Sequence, residues 1–182
     1  LDKLEPIDCA ILTEDDAEGF LAYNRDPETL ARNWAIPGTK GLEHRIGGLE
    51  KQEGTGNVSY DPSNHEYMSK LRQSKVERVG ADVGGVEVYG DKDGIGVISW
   101  GSTFGSVRTA IDLARAQGIK AGHVHLRWLS PLPANLKETI LGFSRVAVAE
   151  MNLGLLHRYL RGEYLIDLAS ITKIQGQPFK AS

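Results

Sequence analysis

Apolar residues recur in two different ways along this chain. From about Gly80 onward, short and nearly continuous apolar runs alternate with stretches in which an apolar residue returns every three or four positions. GIGVISWGS reads as a buried strand, and SVRTAIDLARAQG as an amphipathic helix with Ser106 as its N-cap and Gly118 as its stop. The cycle then repeats: IKAGHVHLRW predicts a strand, ANLKETILGF a helix, RVAVAEM a strand and LGLLHRYLRGE a helix. The tail LIDLASITKIQGQPFKAS adds a last strand and then a Gly/Pro turn. Strands separated by helices of this length imply right-handed crossovers, hence a parallel sheet with helices on both faces. The expected architecture over 81–182 is therefore a doubly wound α/β domain.

Before that point the pattern is poor in sustained apolar periods and rich in turn formers and charge, as in AIPGTKG, GGLEKQEGTGN and SYDPSN. Residues 1–80 read as an extended, loop-rich arm with one helix, from Asp61 to about Val79, opened by an Asp-Pro start. Tyr67, Met68, Leu71 and Val79 give that helix only a thin apolar stripe, so it is expected to lie on a surface or span to another element.

Composition narrows the function classes. A chain of 182 residues and 19.9 kDa has room for one well-buried core and an appendage. With 41% hydrophobic and 25% charged residues and a net charge of -3, it has no excess positive charge to track a phosphate backbone, so nucleic-acid binding is not expected. The charge is uneven: positions 1–80 carry 10 basic and 15 acidic residues, and 81–182 carry 11 and 9. No apolar run approaches the length of a membrane span, and LDKLEPIDCAIL lacks the basic start of a secretory signal, so a soluble, cytoplasmic protein is expected. The single cysteine, Cys9, bars an internal disulfide or a Cys-rich zinc or iron-sulfur site built by this chain alone, and reads as a small buried or bystander thiol. A first residue of Leu rather than Met implies a piece of something longer.

In an open parallel sheet, ligands sit outside the carboxyl ends of the strands, which directs attention to Gly101–Gly105, Arg127–Pro133 and Met151–Gly154. GSTFGS, with Gly101 and Ser102, joins a strand to a helix and offers backbone N–H groups to an anion, but it is neither GxGxxG nor a P-loop; a tight turn needing small residues is the better reading. His123 and His125 project to one face of their strand as a possible metal pair, with no third ligand near in sequence. Arg127 shares that face at the strand's carboxyl end, placed to meet a carboxylate or phosphate or to form a surface ion pair. YGDKDGIG begins like a calcium loop, but Ser102 stands where the closing Glu belongs, so a hairpin-like turn is expected. No GxSxG elbow is present for a serine hydrolase. Glu43 and His44 form a charged pair in a loop, and Asn152 to Gly154 read first as a strand-to-helix turn in which Asn and Gly relieve backbone strain.

Taken together, AIPGT, GLEH, DPSNHEYMSKLRQSKVERV, WGS, HVHLRWLSPLP, AEMNLG and KIQGQPF resemble the C-terminal part of the alpha subunit of 2-oxoacid:ferredoxin oxidoreductases, most of all the 2-oxoglutarate type. The resemblance runs from about Ala35 to Phe179 in the same order and spacing. It implies a transketolase C-terminal-like fold with a mostly parallel five-stranded sheet. It also implies a parent enzyme that converts a 2-oxoacid and coenzyme A to an acyl-CoA and carbon dioxide, passing electrons from thiamine diphosphate, bound with Mg2+, through 4Fe-4S clusters to ferredoxin. In that family the diphosphate-binding GDG motif and the cluster cysteines belong to a beta subunit, and the pyrimidine-binding domain lies upstream on the alpha chain. Here Gly90, Asp91 and Lys92 are the nearest approach to GDG.

The resemblance therefore implies a structural and assembly domain that binds no cofactor alone, has no catalytic residue of its own, and meets the beta subunit and upstream alpha-chain domains. Ile36, Pro37, Gly38, Thr39, Glu43 and His44 would lie where the alpha chain wraps toward the active-site cleft. Gly101, Ser102, Arg127, Asn152 and Gly154 are the corresponding candidates in the second half. After GLEH the chain has Arg45, Ile46 and two glycines where typical members carry an acidic run. Two other readings stand beside this one. The first is a free-standing module that binds an anion such as coenzyme A at GSTFGS. The second is a fragment of a 2-oxoacid dehydrogenase beta chain, against which KIQGQPF and DPSNHEYMSK favour the ferredoxin-linked family.

Overall fold

A computed structural model describes residues 10–180, so Cys9 lies outside the described residues. These residues fall into two compact units that part between Val79 and Gly80.

Regular structure is scarce in the first unit. Strand β1 (Ile11–Leu12) pairs in parallel with β2 (Trp34–Ala35), and the one long helix is α1 (Pro62–Arg78). Asp61 caps α1 by accepting from the Ser63 N–H at 2.9 Å, and Pro62 in the first turn has no N–H to leave unsatisfied. Of the four residues expected as an apolar stripe, only Met68 is fully buried and Leu71 partly so; Tyr67 and Val79 stay exposed. Met68 packs with Ala22 and Tyr23, a cluster too small to hold the unit alone. Instead of running extended, the arm folds back on itself through bridges Tyr23–Gly54, Arg25–Arg32 and Lys51–Val58, and polar contacts tie it to α1. Glu50 accepts from Arg72 at 3.0 and 3.2 Å and meets His65 Nδ1 at 2.6 Å, while Asn64 Nδ2 donates to the Lys51 carbonyl at 2.9 Å.

The second unit runs β3 (Val88–Gly90), β4 (Ile95–Trp100), α2 (Phe104–Ala116), β5 (Ala121–Leu126), α3 (Leu136–Leu141), β6 (Arg145–Glu150), α4 (Leu155–Tyr164) and β7 (Ala169–Thr172). Its five strands lie in the order β3-β5-β4-β6-β7; β3 is antiparallel to β5 and every other pairing is parallel. Alternation along the strands sends Ile98, Val124, Leu126 and Val148 into one core with α3 and α4, built on Leu136, Ile140, Leu156 and Leu160. The opposite face meets α2 through Val107 and Ile111. Helices thus cover both faces, as the apolar alternation requires for a mostly parallel α/β sheet.

Two local expectations are corrected. Ser106 is not the N-cap: Gly101–Thr103 forms a 3-10 turn, α2 starts at Phe104, and the Ser106 hydroxyl donates to the Phe179 carbonyl at 2.7 Å. The YGDKDGIG turn does not close a hairpin, because β3 pairs with β5 while β4 lies on the far side of β5. The chain crosses the start of β5, held by the Asp91 carboxylate, which accepts from Arg115 Nε at 3.0 Å and the Ala121 N–H at 3.2 Å. Gly122 permits that crossing, since a Cβ there would collide with the Asp91 carbonyl oxygen.

Candidate functional site

Strand parity builds the most developed site of the second unit. In β5, Val124 and Leu126 point into the α3–α4 core, so His123 and His125 must point to the α2 face. The parallel register sets Ser99 of β4 opposite His125, two residues past Val97, the partner of His123. The Ser99 hydroxyl, fully buried, sits 2.6 Å from His123 Nε2 and 2.9 Å from His125 Nδ1. A hydroxyl has one proton, so it donates to one imidazole and accepts from the other.

Above these groups lies a cleft of ≈ 440 Å³, walled by the strap 83–89, by Phe104 and Arg108 of α2, and by Arg127 and Trp128 just past β5. The strap is fixed by Asn135, whose side-chain amide accepts from the Val86 N–H at 2.7 Å and donates to the Val86 carbonyl at 3.0 Å. The Arg108 guanidinium lies 3.4 Å from the Tyr89 ring centroid and 5.0 Å from that of Phe104. Phe104 in turn presents its ring to His125 at 4.9 Å. Among the described residues neither Arg108 nor Arg127 forms a salt bridge.

The electrostatics follow from this packing. Burial, then the charges of His125 and Arg108, push His123 down to about 4. His125 is lowered by burial, then by Arg127 and Arg108. Both imidazoles are therefore neutral near pH 7, and the positive charge of the cleft resides on the two arginines. His123 is 1% exposed, and its Nδ1 has no hydrogen-bond partner.

The residues picked from the sequence are distributed as follows. Arg127 lines the cleft together with His123 and His125, whereas Gly101 and Ser102 lie in the 3-10 turn outside its lining. Asn152 Oδ1 accepts from the Gly154 and Leu155 N–H groups at 2.8 and 2.9 Å, and Gly154 takes a left-handed φ of 85°, so both are engaged in turning β6 into α4. Beside them Glu150, fully buried, accepts from the Leu156 and His157 N–H groups at 3.0 Å each. In the first unit, Ile36 to Thr39 form a turn closed by the Thr39 N–H on the Ile36 carbonyl at 3.1 Å, with Ile36, Pro37 and Gly38 exposed. Glu43 is exposed; half-buried His44 puts Nδ1 2.8 Å from the Leu42 carbonyl and its ring edge on Phe20. Phe104 and Trp128 fall inside the loops that follow the strands, where ligands are expected, whereas nothing local in the sequence marks Arg108 or Asn135 as members of the site. For Ser99 the one available signal is a serine set in an apolar strand, one residue from its end.

The cofactors of the resembling family can be tested against the donors present. One cysteine in the whole chain cannot ligate an iron-sulfur cluster. Among the described residues no group of three or more His, Cys, Asp or Glu side chains is placed to hold a metal, and each cleft histidine already gives one nitrogen to Ser99. The residues described do not fit Mg2+-thiamine diphosphate.

Residues 94–179 match the family of pyruvate:ferredoxin oxidoreductase core domain II. The chain is 49% identical to the 2-oxoglutarate oxidoreductase subunit KorA of Mycobacterium tuberculosis over 90% of its own length and 25% of that subunit. The chain is a homologue of 2-oxoacid:ferredoxin oxidoreductase alpha subunits. It spans about a quarter of the length of the curated relatives it matches, another being the alpha subunit of 2-oxoacid:ferredoxin oxidoreductase 2 of Aeropyrum pernix, 33% identical over 73% of this chain and 22% of that subunit. The same relationship holds in three dimensions. The 2-oxoglutarate:ferredoxin oxidoreductase of Magnetococcus marinus, solved with 2-oxoglutarate, coenzyme A and succinyl-CoA bound, matches with a TM-score of 0.80 and 32% identity, over 93% of this chain and 30% of that one. The likeness in fold thus extends over nearly all of this chain.

Proposed function

We propose that this chain is the C-terminal region of the alpha subunit of a 2-oxoglutarate:ferredoxin oxidoreductase and serves as a structural and assembly part of that enzyme. The parent reaction takes 2-oxoglutarate and coenzyme A to succinyl-CoA and carbon dioxide, with two electrons passed to ferredoxin. The observation that carries this reading is 49% identity across nine-tenths of the chain to a 2-oxoglutarate oxidoreductase subunit. Thiamine diphosphate with Mg2+ and the 4Fe-4S clusters are held by the beta subunit and upstream alpha-chain domains, in keeping with the donor set here. The working enzyme is cytoplasmic; no helix among the described residues is long and apolar enough to cross a membrane.

In this reading residues 1–80 are a wrapping arm and 81–182 the transketolase C-terminal-like domain. Ile36, Pro37, Gly38, Thr39, Glu43 and His44 approach the active-site cleft or a subunit interface without taking part in bond making. Exposed Ile36 and Leu49, at 56% and 58%, support a covered surface on the first unit. The test is recovery of the tagged intact protein from its native cells. Co-recovery of a second subunit that carries thiamine diphosphate and an iron-sulfur chromophore is the expected result; a lone, colourless, cofactor-free polypeptide overturns the reading.

A further inference from the structure

We propose that the cleft beyond the carboxyl end of β5 is a binding site for a small organic oxyanion, a carboxylate or a phosphate group, distinct from the assembly role. Three observations converge on that chemistry. Arg108 and Arg127 bring two positive charges to one ≈ 440 Å³ cleft, and neither is neutralised by a salt bridge among the described residues. The Arg108 guanidinium is held against the Tyr89 ring, which restrains its donors before any ligand arrives, and its buried Nε has no partner. His123, 1% exposed, carries a ring nitrogen with no partner in a cleft-lining position.

Ser99 gives the histidine pair a definite role. If its proton goes to His123 Nε2, His123 must carry its own proton on the orphan Nδ1, and His125 donates from Nδ1 to the Ser99 oxygen. If the proton goes to His125 Nδ1, His123 donates from Nε2 to Ser99, its Nδ1 becomes a bare acceptor, and His125 carries a proton on Nε2. In either arrangement the neutral pair has one free N–H and one free acceptor, and reorientation of a single hydroxyl with the two tautomers exchanges them. An oxyanion selects the arrangement in which the free N–H on the ligand's side donates to it. Two arginines then supply charge and one neutral imidazole supplies direction, while Phe104 and Trp128, exposed at 44% and 49%, flank the ligand's carbon skeleton.

Equilibrium dialysis of labelled inorganic phosphate and, separately, of 2-oxoglutarate against the intact protein in its native assembly tests this. The unaltered protein is compared with R127Q, R108Q and S99A, and with R158Q on the exposed side of α4 as control. At least one probe should bind the unaltered and R158Q proteins at one site more per copy than R127Q, with affinity down about tenfold or more in R127Q and R108Q and about threefold to tenfold in S99A. Binding of phosphate alone identifies a phosphate-bearing ligand; binding of 2-oxoglutarate alone identifies a carboxylate. Identical binding of both probes by R127Q and the unaltered protein overturns the proposal. Because Arg127 is exposed and outside both cores, the R127Q comparison holds even if R108Q disturbs the packing on Tyr89.

Discussion

The first unit and the second solve the problem of cohesion differently. The second spreads eleven buried apolar residues over one face of its sheet and packs α2 on the other, with buried Ser99 and Glu150 hydrogen-bonded inside it. The first has three buried apolar residues in its core cluster and relies on charged and amide side chains that reach across to backbone or to each other, with Glu50 receiving both Arg72 and His65. Apolar burial scales with area, whereas ion pairs near a surface add little each. The contrast teaches that one stretch is layered around an apolar core, and that the other is held mostly by specific ties and exposes Ile36, Ile46, Leu49 and Tyr60.

The sharpest way to break that contrast is to open the layered core. Leu160→Ala removes a fully buried side chain and should cost about 2–5 kcal/mol, seen as a lowered denaturation midpoint reported by the β4–β6 segment. A loss below about 1 kcal/mol would mean that the core is not what holds the second unit. Next in size, Glu150→Ala leaves the Leu156 and His157 N–H groups without their buried acceptor. It should cost about 1–3 kcal/mol, with α4 amides exchanging faster than those of α1.

Acid separates the units by a different route. His123 is neutral in the fold, with its pKa depressed from 6.5 to about 4, so the unfolded chain binds the proton first as pH falls. Its contribution is present above pH 6.5 and is lost as pH drops toward about 4. Glu50 is depressed from 4.5 to about 2, chiefly by hydrogen bonds from Arg72 and then His65, so its contribution persists above pH 4.5 and is lost only toward about 2. Hydrogen exchange corrected for intrinsic rates should therefore show β4 and β5 loosening between pH 6.5 and 4 before the Glu50 ties in the first unit respond. H123Q should shrink that early step, leaving the part owed to His125, which burial also lowers. The smallest effect belongs to the exposed pair of Glu66 with Lys70, one turn apart on α1, where Glu66→Gln should cost no more than about 0.5 kcal/mol by thermal melting.

How much of this is legible in the sequence depends on range. The strand and helix alternation after Gly80 is written in apolar runs that each element carries by itself. The shared face of His123, His125 and Arg127 follows from the two-residue period of a strand. What the sequence hides is long-range. Ser99 meets the histidines only because β4 and β5, joined through a helix, pair in one particular register. The short β3 has no periodicity that reveals its antiparallel place beside β5, so the turn after it reads as a hairpin. Asn135 reads as a helix start, yet its amide clamps Val86, forty-nine residues away. Ser106 likewise has the residue type of a cap but is engaged by Phe179.

The measurement that bears most directly on the oxidoreductase reading is ferredoxin reduction by the native assembly containing this chain, followed with and without 2-oxoglutarate and coenzyme A. The expected result is reduction that requires both substrates and releases carbon dioxide, with none from the 182-residue chain by itself. Reduction absent from the assembly under those conditions, or present in the isolated chain, would contradict the account.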